Sequence, residues 1–293
     1  MRGKTLTLIV ALTLMATRSE AAIFGHAAKP TPGVSDAAVA EVQRALDEQR
    51  LLDAGRMLDQ ALLAGIKDPR LTLLGADLSL ARGRYSTALT DYKNIQATPV
   101  TRVRSLEGQG IALSLMGRPD EALPLLQQAV AEDPAAWRAW DALGSEYDAR
   151  AQWTQAEDAY THALATSGGS ALVLNNRGYS RLLQHRRDEA ITDLVAALHK
   201  RPDFAEARTN LRLALAMGGD YERAIAGGSQ NEQAALLNNA GFAAAMRGDY
   251  AKAEELLGRA LTLKSEYYAR ASENLKIVRA LAARSEAPAH AAP

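Results

Sequence analysis

The sequence predicts an all-α array of repeated helix pairs, and three observations carry that reading. Aromatics make up only 5% of the 293-residue chain. Ala and Leu dominate its apolar residues; both are strong helix formers, and the β-branched residues that favour strands are sparse. Ala54, Ala88, Ala122, Ala156, Ala190 and Ala224 stand 34 residues apart. Gly110, Gly144 and Gly178 recur at the same interval, as do Ala129, Ala163 and Ala197. Three series in one register mark an internal repeat, and a period of this length belongs to paired helices.

Taken in order, residues 1–21 read as an export leader. Arg2 and Lys4 supply a basic start, Thr5 to Ala16 an apolar run, and Ser19 and Ala21 the small residues before a cleavage point at Ala22. The run is short of the roughly 20 residues a spanning helix needs, and an uncleaved anchor is the alternative. Residues 22–36, AIFGHAAKPTPGVSD, read as a linker, with Ser35 and Asp36 as N-cap candidates for the first helix. The repeats occupy residues 37–284, in seven units beginning near 37, 69, 103, 137, 171, 205 and 234. The first is carried mainly by Ala54 and Ala61. The sixth, near 205–233, is short: after Ala224 the next member of the alanine series is Ala253, and the second helix near Tyr221 to Ala226 runs into Gly227, Gly228 and Ser229. A last helix over Ser265 to Arg284 would cover the open end of the stack, as terminal units of solenoids must. Residues 285–293 hold too little apolar surface to order themselves.

Trp140, Leu143, Gly144 and Tyr147, followed by Ala156, Tyr160 and Ala163, resemble the tetratricopeptide repeat nearly position for position. Pro134 and Pro202 stand where that repeat closes its second helix. The small residues then have a physical role. Gly at the eighth position and Ala at the twentieth let two helices approach closely, and Ala at the twenty-seventh does the same toward the next unit. Gly83, Gly117 and Gly248 fall at the turn between paired helices, where left-handed backbone is needed.

The resemblance also implies a concave face lined by the first helix of each unit. The fourth unit would contribute Arg138, Asp141, Ala142, Ser145, Asp148 and Ala149, a polar and charged set. The fifth would contribute Leu172, Asn175, Asn176, Tyr179, Leu182 and Leu183, and the sixth Glu206, Thr209, Asn210, Leu213, Ala216 and Met217. The last would contribute Ala235, Asn238, Asn239, Phe242, Ala245 and Met246. The groove should therefore change near residue 170 from polar to apolar. Tyr179, Leu213 and Phe242 form one row, and Asn176, Asn210 and Asn239 a second. An amide offers a donor and an acceptor, so an apolar row beside an amide row suits a peptide. The same residues would equally serve to pack one unit against the next, and the sequence leaves both roles open.

Catalytic and ligand-binding signatures are missing. There is no cysteine, and formal charge is zero, where a nucleic-acid binder would carry a basic excess. His26, His162, His185, His199 and His290 show no zinc-hydrolase spacing, and Gly108 and Gly110 open a dinucleotide pattern that no third glycine completes. The expectation is a protein without enzyme activity, cofactor, metal or small-molecule substrate.

Residues 105–280 resemble one subgroup more specifically, and the first two units do so only loosely. Asn175 to Ala224, Leu236 to Leu261 and Tyr267 to Asn274, with the shortened sixth unit between them, are similar to TadD-type proteins of tight-adherence (Flp) pilus assembly. The resemblance implies a periplasmic or outer-membrane-associated scaffold without catalysis, whose partner is the pilus secretin or an associated assembly component. Members of that family commonly carry a lipid-modified Cys after the leader, and this chain has none. Any membrane association would then run through protein contacts. The alternative is a general periplasmic chaperone, or an adaptor of an envelope enzyme complex.

Overall fold

The computed structural model describes residues 32–95, 98–99, 101–263 and 268–286. The expected leader, most of the expected linker and residues 287–293 lie outside them. Among the described residues the chain is fifteen helices and no strand. They come in pairs: α1 (Pro32–Asp47) with α2 (Leu51–Leu63), α3 (Pro69–Ala81) with α4 (Tyr85–Asn94), and α5 (Arg102–Leu115) with α6 (Pro119–Glu132). Next come α7 (Trp137–Ala149) with α8 (Trp153–Thr166), α9 (Ala171–Leu183) with α10 (Arg187–Lys200), and α11 (Ala205–Met217) with the short α12 (Tyr221–Ile225). The last pair is α13 (Gln230–Met246) with α14 (Tyr250–Leu263), and α15 (Ala269–Glu286) closes the stack. No helix among these residues is long and apolar enough to cross a membrane.

The close approach expected of the small residues is present. Ala54, Ala88, Ala122, Ala156, Ala190 and Ala253 are completely buried. A Cβ added at Gly110, Gly144, Gly178 or Gly241 would stand 2.6–2.9 Å from Leu126, Tyr160, Leu194 or Leu257, one residue of the paired helix in each case. Gly108 is packed in the same way against the Tyr92 ring, so both glycines of the apparent dinucleotide pattern are helix contacts. The core is a run of clusters, most of them shared by neighbouring units, as a stack of this kind requires.

The intervening turn uses one backbone geometry throughout. Gly83 has φ +73°, and the Arg84 N–H donates to the Ser79 carbonyl at 2.9 Å. Units without glycine adopt the same geometry: Gln49, Ala151 and His185 have φ of +59°, +53° and +61°. The glycines identify the turn, but the helix pair imposes it even where a side chain makes left-handed backbone costly.

Helix boundaries differ from expectation at three places in the chain. Helix α1 starts at Pro32, inside the stretch read as linker, so Ser35 and Asp36 lie within the helix and do not cap it. Proline is favoured at a first helical position because its missing N–H has no partner to lose there. The final helix starts at Ala269, four residues after the expected Ser265, and runs two residues past Arg284, to Glu286. The shortened sixth unit is compensated from the next one. Helix α12 holds five residues, and α13 begins at Gln230 behind a capping box of Ser229 and Glu232. Beside the short α12, and in the last helix described, the eighth position is not small. Arg212 stands there in α11, its Nη2 donating to the Ala226 carbonyl at 3.0 Å, and Lys276 stands there in α15.

Candidate functional site

The first helices of the units, α7, α9, α11, α13 and α15, carry the candidate groove, and the fifth and sixth positions form a connected set of amides. Asn176 Nδ2 donates to the Asp141 carboxylate at 2.9 and 3.1 Å, and Asn175 Nδ2 donates to Asn176 Oδ1 at 3.2 Å. Asn210 Nδ2 donates to Asn175 Oδ1 at 2.9 Å. A second set follows, in which Asn274 Nδ2 donates to Asn238 Oδ1 at 3.0 Å and Asn238 Nδ2 to Asn239 Oδ1 at 3.3 Å. In each set a sixth-position amide reaches back to the fifth position of the preceding unit. The asparagines thus fasten adjacent helices.

This divides the expected groove residues by role. Asn175 and Asn238 are buried at 7% and 2% exposure, and Leu182 is buried in the core around Leu194 and Ala197. These three lie beneath the groove surface. The fifth position turns toward the neighbouring unit, and the twelfth faces the paired helix. Tyr179, Leu183 and Met246 are exposed, while Leu213, Met217 and Phe242 are partly so. Asn176 and Asn210 are half-buried and bonded, and Asn239 is exposed.

The bond from Asn274 to Asn238 fixes the register of α15. It makes Asn274 a sixth-position residue, Ile277 a ninth and Leu281 a thirteenth. Ile277 and Leu281 are exposed. Two apolar rows therefore run across four helices: Tyr179, Leu213, Phe242 and Ile277 in one, and Leu183, Met217, Met246 and Leu281 in the other. The last helix continues both rows as well as closing the core. Sequence reasoning treated it only as a cover; the signal was Asn274, 35 residues after Asn239.

The other half of the concave face is polar, as the composition of the fourth unit predicted. Arg104 Nη2 lies 2.6 Å from Asp77, and Arg138 lies 3.8 Å from Asp47, so charges of α1, α3, α5 and α7 meet here. Asp141 is 7% exposed and, among the described residues, makes no ion pair. Burial pushes its carboxyl up to about 7 against the opposing hydrogen bond from Asn176. Burial likewise raises Glu107 to about 6, opposed by the nearby charges of Arg104 and Arg138. Asp148 is also raised by burial, though Ser180 and Tyr160 both donate to it, at 2.7 and 2.8 Å.

No family model and no curated protein matches the sequence. Solved structures do. One is a chain of the Cut9–Hcn1 hetero-tetramer of the APC/C, 16% identical at a TM-score of 0.60; the match covers 82% of this chain and 48% of that one. Another is a thermophilic tetratricopeptide repeat protein of Thermus thermophilus, 20% identical at a TM-score of 0.54; it covers 62% of this chain and 98% of that one. What they share with this chain is the fold, an all-α tetratricopeptide repeat superhelix.

Proposed function

We propose that this chain is a non-catalytic scaffold that holds a segment of a partner protein in the C-terminal half of its concave groove. The observation that carries the reading is the pair of exposed apolar rows across α9, α11, α13 and α15. Tyr179, Leu183, Ile277 and Met246 are 40, 45, 53 and 71% exposed. Burying such a side chain completely contributes roughly 1.5–3 kcal/mol, so a handful of them supports specific binding. With neighbouring helices about 9 Å apart, the rows span roughly 27 Å, the length of about 18 residues of helix.

The amide ladder bears on what the partner looks like. Asn175, Asn176 and Asn238 are already bonded within the stack, so few amides face a ligand. An occupant that satisfies its own backbone, an amphipathic helix, suits this surface better than an extended strand. The two thirteenth-position methionines, Met217 and Met246, add an adaptable apolar lining.

The similarity of residues 105–280 to TadD-type proteins supports placing the partner in the export machinery of a tight-adherence (Flp) pilus, as a secretin or an associated component. The basic and apolar start of the chain supports export to the periplasm, with any outer-membrane association through protein contacts.

Photo-crosslinking in cells tests this reading, with the probe replacing Phe242 and a control probe replacing Asp188, whose side chain is 83% exposed. One discrete adduct at Phe242, identified as a pilus export component, is expected. Many weak adducts at Phe242 would replace the reading with a general chaperone, and equal labelling at both sites would refute the groove. In parallel, Tyr179→Ala with Phe242→Ala should abolish the adduct while leaving helicity and melting cooperativity unchanged.

A further inference from the structure

Helix α2 has two opposite faces, and only one of them is used within the chain. Ala54, Leu58 and Ala61 are buried with Val42 and Ala45 of α1 and Leu71 and Leu74 of α3. Half a turn away, Leu52, Arg56, Asp59 and Leu63 are all exposed, at spacings of four, three and four that set them in one stripe. Leu52 and Leu63 are 81% and 88% exposed. Elsewhere in the array these places are polar or small. Leu52 stands where later second helices have Ser86, Asp120, Thr154 and Asp188, and Leu63 where they have Ala131, Ala165 and His199. The stripe also adjoins open space. Helix α3 carries Thr72, Gly75 and Ser79 where α7 carries Trp140, Leu143 and Tyr147, and a cleft of about 610 Å³ remains between α2, α3 and α4. Leu52, Arg56 and Asp59 line it from α2, and Arg84, Asp91 and Asn94 from α4 and its N-cap, so its rim is as polar as that of a protein–protein contact.

The order of the stripe points to its occupant. From either end it runs leucine, charge, charge, leucine, and the two charges are opposite in sign. Two copies of α2 laid antiparallel, about a two-fold axis between residues 57 and 58, set Leu52 against the partner's Leu63 and Arg56 against the partner's Asp59. The symmetry makes each contact twice. Both charges are available for it. Among the described residues Asp59 makes no hydrogen bond or ion pair. Arg56 bonds Asp53 of its own helix, but Arg50 also donates to Asp53, at 3.0 Å, so Arg56 can turn to a second carboxylate without leaving Asp53 alone.

We infer that this face of α2 joins two copies of the chain in a two-fold, antiparallel dimer. Helix α2 is about 20 Å long, so the contact belongs to the small, reversible class, under about 1,200 Å² in total, with a Kd of roughly 1–100 μM. The apolar rows on α9, α11, α13 and α15 take no part in it, and the inference stands apart from the groove reading.

Charge reversal tests the pairing. Sedimentation velocity of the full chain at concentrations up to about 200 μM should show a monomer–dimer equilibrium. Arg56→Asp sets acid against acid in both symmetric pairs, and Asp59→Arg sets base against base. Each variant should dimerise at least about tenfold more weakly, with helicity by circular dichroism unchanged. Mixing the two variants should restore dimerisation, since every mixed pair joins an acid to a base. Direction is read separately, because the chain has no cysteine of its own. Under mild oxidation Leu52→Cys and Leu63→Cys, mixed, should cross-link to each other at least about tenfold faster than either does to itself, since like positions lie about 16 Å apart along the helix. A chain that stays monomeric, single variants that dimerise as well as the natural chain, a mixture no better than its components, or thiols that link like to like would each overturn the inference.

Discussion

Asp141→Asn isolates the electrostatic cost of joining the polar and apolar halves of the groove. Asp141 is buried, its carboxylate faces the Asn176 amide, and its carboxyl is pushed up to about 7 from an ordinary value of 3.8. The folded state therefore binds a proton between these values that the unfolded state has released. With fewer protons on the unfolded state, stability falls as pH rises, and the loss is complete above the folded value. Three pH units correspond to about 4 kcal/mol at most. Asparagine has the same shape, keeps an acceptor for Asn176 and has no charge to desolvate. Urea denaturation of both proteins at pH 5 and pH 8.5 should show the natural chain losing stability relative to Asp141→Asn as pH rises, by about 1 kcal/mol or more. The difference between the two proteins removes the similar contributions of Glu107 and Asp148, which burial also raises. A pH-independent difference would refute the argument and mean that Asp141 is solvated or paired in the folded protein.

The left-handed turns supply a stabilising prediction. Ala151→Gly and His185→Gly each remove a left-handed strain of about 1–2 kcal/mol and add back about 0.4–1 kcal/mol of unfolded-state entropy. Each should raise stability by about 0.5–1 kcal/mol in thermal or urea melts, and a loss would show that the side chains make compensating contacts. The asparagine pair of α13 should separate by role. Asn238→Ala leaves the Asn274 amide without its acceptor and should cost about 1–3 kcal/mol, with faster amide exchange in α15. Asn239→Ala removes only the longer 3.3 Å bond accepted from Asn238 and should cost less, about 0.5–1.5 kcal/mol, with exchange in α15 unchanged.

What was legible in the sequence was whatever short contacts demand. The eighth and twentieth positions must be small because two backbones approach there, and Gly144 and Ala156 recur in register for that reason. The turn glycines, the end of α10 before Pro202 and the truncated α12 were legible on the same grounds. The division of the asparagines was not. Asn175 and Asn176 are adjacent in sequence and identical in chemistry, and only the position of the next helix decides which is buried. The start of α1 was obscured by composition, since Pro32 and Gly33 signal a linker as readily as a first helical turn. The cleft beside Gly75 was visible only as something missing, namely bulk at positions where the fourth unit has Trp140, Leu143 and Tyr147.

The shortened sixth unit explains why the amide ladder comes in two pieces while the apolar rows do not. From Asn210 to Asn239 the chain advances 29 residues, five short of the period. Helix α13 keeps its place in the stack by packing directly on α11 and α12, and Leu237 and Ala240 join one core with Leu215 and Tyr221. Apolar contact is non-directional, so the rows continue from Leu213 to Phe242 across the changed junction. Hydrogen bonds need donor and acceptor within about 3 Å and well aligned, and among the described residues none joins Asn210 to Asn238 or Asn239. The break leaves Asn210 Oδ1 and Asn239 Nδ2 as the ladder's unbonded ends, in the middle of the groove. Under the proposed function, a segment lying along the apolar rows would pass beside both. The deletion thus separates the fastening of α7, α9 and α11 from that of α13 and α15, and leaves one acceptor and one donor that a partner of the proposed kind would meet.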